Sequence, residues 1–344
     1  MRINILITVG LLALFVSCNS GGKHNGTTEN QTIADSAGKS VEINLEAKKL
    51  LSYLEENGDY VKGRNFPSII NPSVVYEELG NKISIIDLRN PDTFKQGHIE
   101  GAKNVQFSEL PNYFNHIKPD EYDKIILVSY AGQISSYATS LLQLMGYKNV
   151  YSMKWGMSAW NKDFAANSWF VSVSGDFENK LELQEHDRAA VGDLPNNNTG
   201  KVSGEEIAQS RFEKVFEQGL SDVMISAKEV FEHPGKYYII NYDRRDKYES
   251  GHIPGAVRYR PNVTLGYVSE MQSIPTDKEV VVYCNTGQNS GFAVAYLRLL
   301  GYDAKSLTFG NNSFMYNKML EEKNTLSWIP FTEAEIENYP YVKN

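Results

Sequence analysis

The chain has 344 residues, of which 41% are hydrophobic, and this is ample material for more than one hydrophobic core. Its formal net charge is −8, so composition gives no electrostatic reason to expect nucleic acid as a partner. The six histidines form no spaced cluster with cysteines or carboxylates along the sequence, and therefore no metal site is predicted.

The first 18 residues are interpreted as a targeting segment that lies outside the fold. Arg2 precedes an apolar run over 3–16, which is too short for a stable transmembrane helix. The run ends at Ser17 and Cys18, and this resembles a bacterial lipoprotein signal, in which Cys18 is acylated; a plain secretory signal is the alternative. The resemblance implies export, a lipid anchor in a bacterial membrane and a periplasmic body.

The next segments predict a tether and then the start of a folded domain. Residues 19–41 are rich in Gly, Asn, Ser and Thr and lack hydrophobic periodicity, so we interpret them as flexible. Leucines on one helical face predict a helix over 45–56. A second helix is expected over 74–79, and an isoleucine-rich run predicts a buried strand over 83–87.

Two long parts of the chain repeat each other at an offset of 154 or 155 residues. The motif at 86–102 contains Asp-x-Arg and ends Gly-His-Ile-Glu-Gly-Ala, and the motif at 240–256 ends Gly-His-Ile-Pro-Gly-Ala. The strand and loop at 125–135 are matched by 280–290 in the same order, which indicates a tandem duplication. Each unit alternates strands and helices, and this predicts an α/β fold with a parallel sheet flanked by helices.

The duplication also predicts the domain limits. A Pro-, Asn- and Gly-rich stretch at 193–200 marks a linker, and an apolar stripe at 204–218 predicts the helix that opens the second domain. The predicted segments are a signal (1–18), a tether (19–41), a first domain (42–170), a linker (171–203), a second domain (204–330) and a C-terminal tail (331–344).

A cysteine follows a predicted strand in the second unit. The strand covers 280–283, and a helix is expected from about Ser290 to a left-handed cap at Gly301. Cys284 therefore lies in a tight loop whose N–H groups and helix N-terminus should favour the thiolate, the reactive form of a cysteine. If Cys18 carries lipid, Cys284 is the only thiol of the mature chain. A small buried hydrophobic residue is the alternative interpretation.

The Asp-x-Arg motif with Gly-His-Ile-x-Gly-Ala, followed by a strand, cysteine, loop and helix, resembles the rhodanese family of sulfurtransferases. The resemblance covers about 70–165 and 222–318 and is similar to tandem rhodaneses whose N-terminal copy lacks the catalytic cysteine. Here Ser129 stands at the position of Cys284. The resemblance implies two tandem α/β domains, each with a parallel sheet between helices, an inactive first domain, and no metal or organic cofactor.

The resemblance also implies a mechanism. The Cys284 thiolate would take sulfane sulfur from a donor such as thiosulfate, form a persulfide, and pass the sulfur to a small thiol or a thiol protein. The loop residues expected to hold the anionic sulfur are Asn285, Thr286, Gly287, Gln288, Asn289 and Ser290. The cations expected to help bind the donor are Arg244, Arg245, Arg258 and Arg260.

The second unit departs from the family pattern in two ways. It has Asn241 and Asp243 where the first unit has Asp87 and Arg89, so the structural Asp–Arg pair is missing beside the cysteine. The loop at 285–289 also contains no lysine or arginine, although thiosulfate-using members often have one there. These departures leave the sulfur donor open.

Other functions of a lone cysteine fit less well. A phosphatase of the related fold needs Cys-x5-Arg, but Ser290 is the sixth residue after Cys284. A thioredoxin-like role needs Cys-x-x-Cys, which is absent from the sequence. A non-catalytic, lipid-anchored binding module is the remaining alternative, because fold does not imply function. His98 and His252 recur in both units and are interpreted as fixing a turn by hydrogen bonds.

Overall fold

The computed structural model gives the fold of most of the chain. The predicted signal segment with Cys18, and much of the predicted tether, lie outside the described residues. Among the helices described, none combines the length and the apolar character needed to cross a bilayer. The residues described are 31–34, 40–43, 45–57, 67–263, 265 and 268–343.

A short antiparallel pair of strands precedes the first domain. It consists of β1 (Gln31–Ala34) and β2 (Ser40–Ile43), with Thr32 opposite Glu42. Both segments contain β-branched residues, which favour an extended backbone. The part of the chain predicted as a tether is therefore paired over these residues, in contrast to the expectation of irregular structure.

Five strands form the sheet of the first domain: β3 (Ile69–Ile70), β4 (Ile83–Asp87), β5 (Lys103–Asn104), β6 (Lys124–Val128) and β7 (Val150–Met153). All neighbouring pairs are parallel, in the spatial order β3-β7-β6-β4-β5. The predicted strand over 83–87 is confirmed.

The helices of the first domain flank this sheet: α1 (Leu45–Asn57), α2 (Pro72–Glu77), α3 (Pro91–Gln96), α4 (Leu110–His116), α5 (Gln133–Leu144), α6 (Met157–Trp160) and α7 (Lys162–Ala165). The predicted first helix is confirmed to within one residue. The second begins two residues earlier than predicted, because proline fits the first turn of a helix and Pro72 opens it.

The second domain repeats the first. Its strands are β8 (Met224–Ile225), β9 (Tyr237–Asn241), β10 (Val257–Arg258), β11 (Glu279–Tyr283) and β12 (Ala304–Leu307). They are parallel in the order β8-β12-β11-β9-β10, which is the order of the corresponding strands in the first sheet. The predicted α/β class with two parallel sheets is confirmed.

The helices of the second domain are α8 (Gly204–Gln218), α9 (Ala227–Glu232), α10 (Arg245–Ser250), α11 (Val268–Met271), α12 (Gln288–Leu300), α13 (Tyr316–Glu321) and α14 (Lys323–Leu326). The predicted bounds of α8 are confirmed, and Ser203 and Glu206 form a capping box at its start. α12 begins two residues earlier than predicted and ends at Gly301, whose φ of 106° gives the expected left-handed cap.

The central strands bury both faces, which explains their uninterrupted apolar sequences. In β11, Val280 and Val282 belong to a large core that both domains share, whereas Val281 and Tyr283 face a separate core of the second domain. Strands covered on both sides are typical of parallel sheets. Each sheet therefore faces the core shared by the two domains on one side and a core of its own domain on the other.

The two domains meet along α5 and α12, which pack against each other in the shared core. The Ser140 hydroxyl on α5 donates a hydrogen bond to the Phe292 carbonyl on α12 at 3.0 Å. Because α5 follows the loop of Ser129 and α12 follows the loop of Cys284, this packing brings the two corresponding loops to the domain interface.

Each domain is also crossed by the chain that follows the other domain. After the first domain, Glu182 forms an antiparallel bridge with His252 of the second, and after the second domain Val342 forms the same bridge with His98 of the first. The segment predicted as a linker is thus bound to the body, and the C-terminal tail is a structural part of the first domain. Sequence gave no signal for either contact, because a single bridge has no periodic pattern.

Candidate active site

Cys284 lies immediately after β11, at the C-terminal end of the central strand of the second sheet. Cys284 is only 1% exposed to solvent. The Ser290 backbone N–H donates to Sγ at 3.3 Å, and the Ser290 hydroxyl lies 3.6 Å from the same atom. The Cys284 carbonyl accepts a hydrogen bond from the Asn311 N–H at 3.0 Å. Ser290, at the start of α12, thus faces the sulfur with both its backbone N–H and its hydroxyl.

Two glycines allow the loop to close. Gly287 has a φ of +78° and directs the chain into α12, a backbone conformation that residues with a Cβ resist. A Cβ at Gly310 would lie 2.0 Å from the Cys284 carbonyl oxygen, so only glycine fits beneath the loop. Gly156 has the corresponding position in the first domain, where a Cβ would lie 2.2 Å from the Ser129 carbonyl oxygen.

The pKa of the Cys284 thiol is raised, and this is opposite to the direction expected from the sequence. Burial is the largest cause, and the negative charge of Asp243 adds to it. Hydrogen bonds from Ser290 and the Thr286 backbone favour the thiolate but do not outweigh the loss of solvent. The difference arises because the cost of moving the sulfur out of water, which local sequence does not reveal, exceeds the effect of the loop hydrogen bonds.

Asp243 is the unexpected ionisable group of the site. It is only 8% exposed, and burial raises its pKa to about 7. Its Oδ2 accepts a hydrogen bond from the Asn311 side chain at 3.2 Å, and Asn311 also bonds the Cys284 carbonyl through its backbone. Asn311 thus joins the carboxyl group to the cysteine loop. The sequence signal for this role was the acidic residue at the position of Arg89.

Lys247 supplies the cation that the loop itself lacks. It belongs to α10, is 6% exposed, and lowers the pKa of Asp243 against the effect of burial. When the Asn285 amide is oriented so that its oxygen faces the neighbouring donors, this oxygen accepts a hydrogen bond from Lys247 Nζ at 2.9 Å. The same Nζ lies 4.9 Å from the centre of the Trp328 ring, within cation–π range. Lys247 was not predicted from the sequence, because it lies on α10 and not in the loop that follows Cys284.

The first domain shows the family pattern that the second has lost. Arg89 and Asp87 form a buried ion pair, with Nε and Nη2 of the arginine at 3.0 and 2.6 Å from the two carboxylate oxygens. Ser129 occupies the cradle of the missing cysteine, and its Oγ accepts from the Gly132 and Ser135 N–H groups at 3.1 and 3.3 Å. The N–H of the corresponding serine thus faces the side chain in both domains, Ser135 for Ser129 and Ser290 for Cys284, but only the second domain has a thiol there.

The predicted loop residues are brought together around Cys284, but they have different surroundings. Asn285, Thr286 and Ser290 are buried, whereas Asn289 is partly exposed. Gln288 reaches the first domain, where its Oε1 accepts from the Trp155 N–H at 3.1 Å and its Nε2 donates to a carbonyl of the Ser129 loop at 3.4 Å. Gln288 thus fixes the interface rather than facing the sulfur.

The four predicted arginines lie in two kinds of place. Arg244 and Arg245 are exposed on α10 and its start, where Arg244 pairs with Asp246 and Arg245 pairs with acidic side chains of α10 and the linker. Arg258 is half-buried and its Nη1 donates to the Asp243 carbonyl at 3.3 Å, while Arg260 is exposed. Of these residues, Arg258 makes a hydrogen bond to the site.

The repeated histidines have the turn-fixing contact that the sequence predicts. His98 Nδ1 bonds the Phe94 carbonyl at 2.8 Å, and His252 Nδ1 bonds the Tyr248 carbonyl at 2.9 Å. Each ring also stacks on the aromatic residue four positions before it. The contact is the same in the domain without a cysteine, which agrees with a structural role.

Comparison with known protein families decides the relationship. The model of the rhodanese-like domain matches residues 71–163 and 226–316, which together are more than half of the chain. The chain belongs to the rhodanese-like family. The two matched regions correspond to the two duplicated domains, so this is a tandem rhodanese-like protein, and its family is one of sulfurtransferases.

Two relatives of this rhodanese-like chain are named thiosulfate sulfurtransferases. The protein from Pseudomonas aeruginosa is 23% identical over 288 residues, covering 72% of this chain and 96% of the relative. The thiosulfate sulfurtransferase GlpE of Ectopseudomonas mendocina is 28% identical over 99 residues, 29% of this chain and 89% of the relative. A crystal structure of a thiosulfate sulfurtransferase from Pseudomonas aeruginosa covers 77% of this chain and 48% of that chain at 17% identity, with a TM-score of 0.30, too low to compare geometry.

Proposed function

We propose that the second domain is a sulfurtransferase that carries sulfane sulfur on Cys284, and that the first domain is inactive. The observation that carries this proposal is the closed loop around Sγ, with the Ser290 N–H aimed at it from the start of α12. In the first domain the corresponding Ser135 N–H donates to the Ser129 hydroxyl, and the Gly132 N–H is a second donor there. An alcohol has no comparable acidity, so only the second domain holds a usable nucleophile.

The reaction with thiosulfate proceeds in two transfers. The Cys284 thiolate attacks the outer sulfur of the donor, a new S–S bond forms, and the original S–S bond breaks with its electron pair leaving on sulfite. The resulting Cys284 persulfide is an anion that the loop N–H groups stabilise. A thiolate of a small molecule or protein then attacks the outer sulfur, and Cys284 leaves as the thiolate.

The charges around the loop determine how the donor binds and how the thiolate forms. Lys247, bonded to Asn285, is the cation that we assign to the sulfonate end of the donor. Burial and the Asp243 charge keep the resting sulfur protonated, so loss of the thiol proton is a costly step. The rate of sulfur transfer is therefore expected to rise with pH.

The proposal is tested by intact mass of the full chain after incubation with thiosulfate, beside the Cys284→Ala variant. A gain of one sulfur atom is expected in wild type alone. A polysulfide serves as a second donor in the same experiment. If neither donor adds sulfur to wild type, the sulfurtransferase assignment fails and a non-catalytic binding module takes its place.

We also propose that the chain is exported and anchored through lipid on Cys18, with its body in the periplasm. The apolar run over 3–16 and the Ser17–Cys18 step support this proposal. Metabolic labelling with a fatty acid tests it, with Cys18→Ser as the comparison. Label in wild type that the variant loses is the expected result, and an unlabelled, processed wild-type chain would instead indicate a plain secretory signal.

A further inference from the structure

The linker brings two side chains next to His252 that are far from it in sequence. The backbone N–H groups of Glu182 and His252 each donate to the carbonyl of the other residue, at 2.9 and 3.0 Å. This bridge places the side chains of Glu182 and His186 beside the His252 ring. The three ligand atoms, one carboxylate oxygen and two imidazole nitrogens, all lie within 4.8 Å of one another.

Each ring nitrogen of His252 lies close to a backbone carbonyl oxygen, which can only accept a hydrogen bond. Nδ1 lies 2.9 Å from the Tyr248 carbonyl oxygen, and we place the proton of a neutral ring on Nδ1 because His98 makes the same contact. A neutral ring then has a lone pair on Nε2. That atom lies 3.0 Å from the Gln184 carbonyl oxygen, which can only accept. Two acceptors at this distance are stable when a cation is shared between them, either a second proton on the ring or a metal ion.

Glu182 and His186 converge on the same place from the linker. A carboxylate oxygen of Glu182 lies 2.8 Å from His186 Nε2 and also accepts the Gly255 N–H at 2.7 Å, which holds the carboxylate in position. The side chains of Glu182 and His186 are 28% and 31% exposed. An ion can therefore reach the cluster from solvent, while the buried ring of His252 forms its inner wall.

We propose that Glu182, His186 and His252 bind one divalent metal ion of the Zn²⁺ type. Two imidazole nitrogens and a carboxylate oxygen are a ligand set that suits Zn²⁺, and the Gln184 carbonyl or a water molecule is available for the fourth position. The Nδ1 hydrogen bond of His252 to a backbone carbonyl is the outer contact that orients a metal-binding histidine. Such an ion would tie the linker to the second domain.

The first domain offers a natural contrast. His98 makes the same Nδ1 contact, but the residue bridged to it is Val342, whose side chain cannot bind a metal. Among the residues that the structure describes, this cluster occurs at the second domain alone. His252 lies at least 66 residues after Glu182 and His186 in the sequence, so no short spacing motif revealed the site.

Zinc titration calorimetry tests the proposal. The protein is the full chain without a polyhistidine tag, carrying Cys284→Ser so that the active-site thiol does not bind metal, and it is first stripped with a chelator. One bound Zn²⁺ is expected, with affinity reduced at least tenfold in His186→Ala and in Glu182→Gln. Both residues are partly exposed, and circular dichroism checks that the variants fold.

The matched control is His233→Ala, which removes a histidine from an exposed pair with Glu229 at 3.4 Å that has no third ligand among the described residues. This variant is expected to bind Zn²⁺ as the parent does. The proposal is overturned if the parent binds no Zn²⁺ at micromolar concentration, which would leave a ring proton as the shared cation. It is equally overturned if His186→Ala and Glu182→Gln bind as tightly as His233→Ala.

Discussion

At the scale of single residues, the position of Arg89 has the opposite charge in the second domain. Where the first domain has Arg89 paired with Asp87, the second has a buried Asp243 whose charge opposes the Cys284 thiolate. Lys247 provides positive charge from α10 in place of the lost arginine. The sign of the charge at the position of Arg89 is thus reversed in the second domain. The buried cation there is Lys247, four residues after Asp243 in the sequence.

Replacing Asp243 with asparagine is expected to make Cys284 more reactive at low pH. The change removes a negative charge that raises the thiol pKa, and an asparagine oxygen can still accept the Asn311 hydrogen bond. Since the thiolate is the reactive form, the pH profile of persulfide formation should move to lower pH, with a severalfold faster reaction near neutral pH. Lys247 and Arg244, the cations that act on Asp243, remain in the variant.

The measurement is the rate of Cys284 alkylation and of persulfide formation as a function of pH. Asp246→Asn is the matched control, because Asp246 is a nearby acid on α10 that is more exposed, is paired with Arg244, and is not among the groups that shift the pKa of Cys284. Its profile should stay close to wild type. A profile of Asp243→Asn that is unchanged, or moved to higher pH, would contradict the electrostatic role of Asp243.

At the scale of elements, the loop before α12 is held from both sides of the domain interface. Gln133 Nε2 of α5 donates to the Thr286 carbonyl at 3.1 Å. In the other direction, Gln288 Nε2 of α12 donates to the Gly132 carbonyl in the loop after Ser129. A Cβ at Gly287 would lie 2.2 Å from Gln133 Nε2 and 3.2 Å from the Leu307 carbonyl oxygen. A side chain at position 287 would therefore displace the Gln133 amide, and the positive φ of this position also favours glycine.

Gly287→Ala is expected to reduce sulfur transfer more than tenfold while the protein still folds. Positive φ costs a residue with a Cβ about 1 to 3 kcal/mol, and the clash with Gln133 adds a displacement of the loop around the sulfur. Gly101→Ala is the control, since its φ is +79° and no atom lies within 4 Å of its Cβ position. Steady-state rates decide the matter: equal activity of the two variants would show that the fit of Gly287 is unimportant.

At the scale of the whole molecule, the two domains are joined by exchanged segments. The tail reaches the first domain, where Glu335 accepts from the Trp155 indole at 2.9 Å and the Pro340 carbonyl accepts from the Trp160 indole at 2.8 Å. The linker crosses the second domain through Glu182. Part of the surface of each domain is therefore covered by the segment that follows the other domain.

Removing residues 332–344 is therefore expected to destabilise the first domain by a few kcal/mol, on the order of several lost buried hydrogen bonds and aromatic contacts. Hydrogen exchange reports the location. The amide of His98 loses its acceptor, the Val342 carbonyl, and should exchange faster, whereas the amide of His252 keeps the Glu182 carbonyl and serves as an internal control. Equal protection of His98 in both proteins would contradict a structural role for the tail.

Sequence by itself determined the duplication, the α/β class, the bounds of α8, and the contrast between Cys284 and Ser129. These follow from periodicity, turn residues and internal repetition, which act over short stretches of chain. Tertiary structure alone decided the raised pKa of Cys284, the place of Lys247 beside the loop, and the cluster around His252. Desolvation and charge depend on side chains that packing brings together from distant parts of the chain, and local patterns carry no record of them.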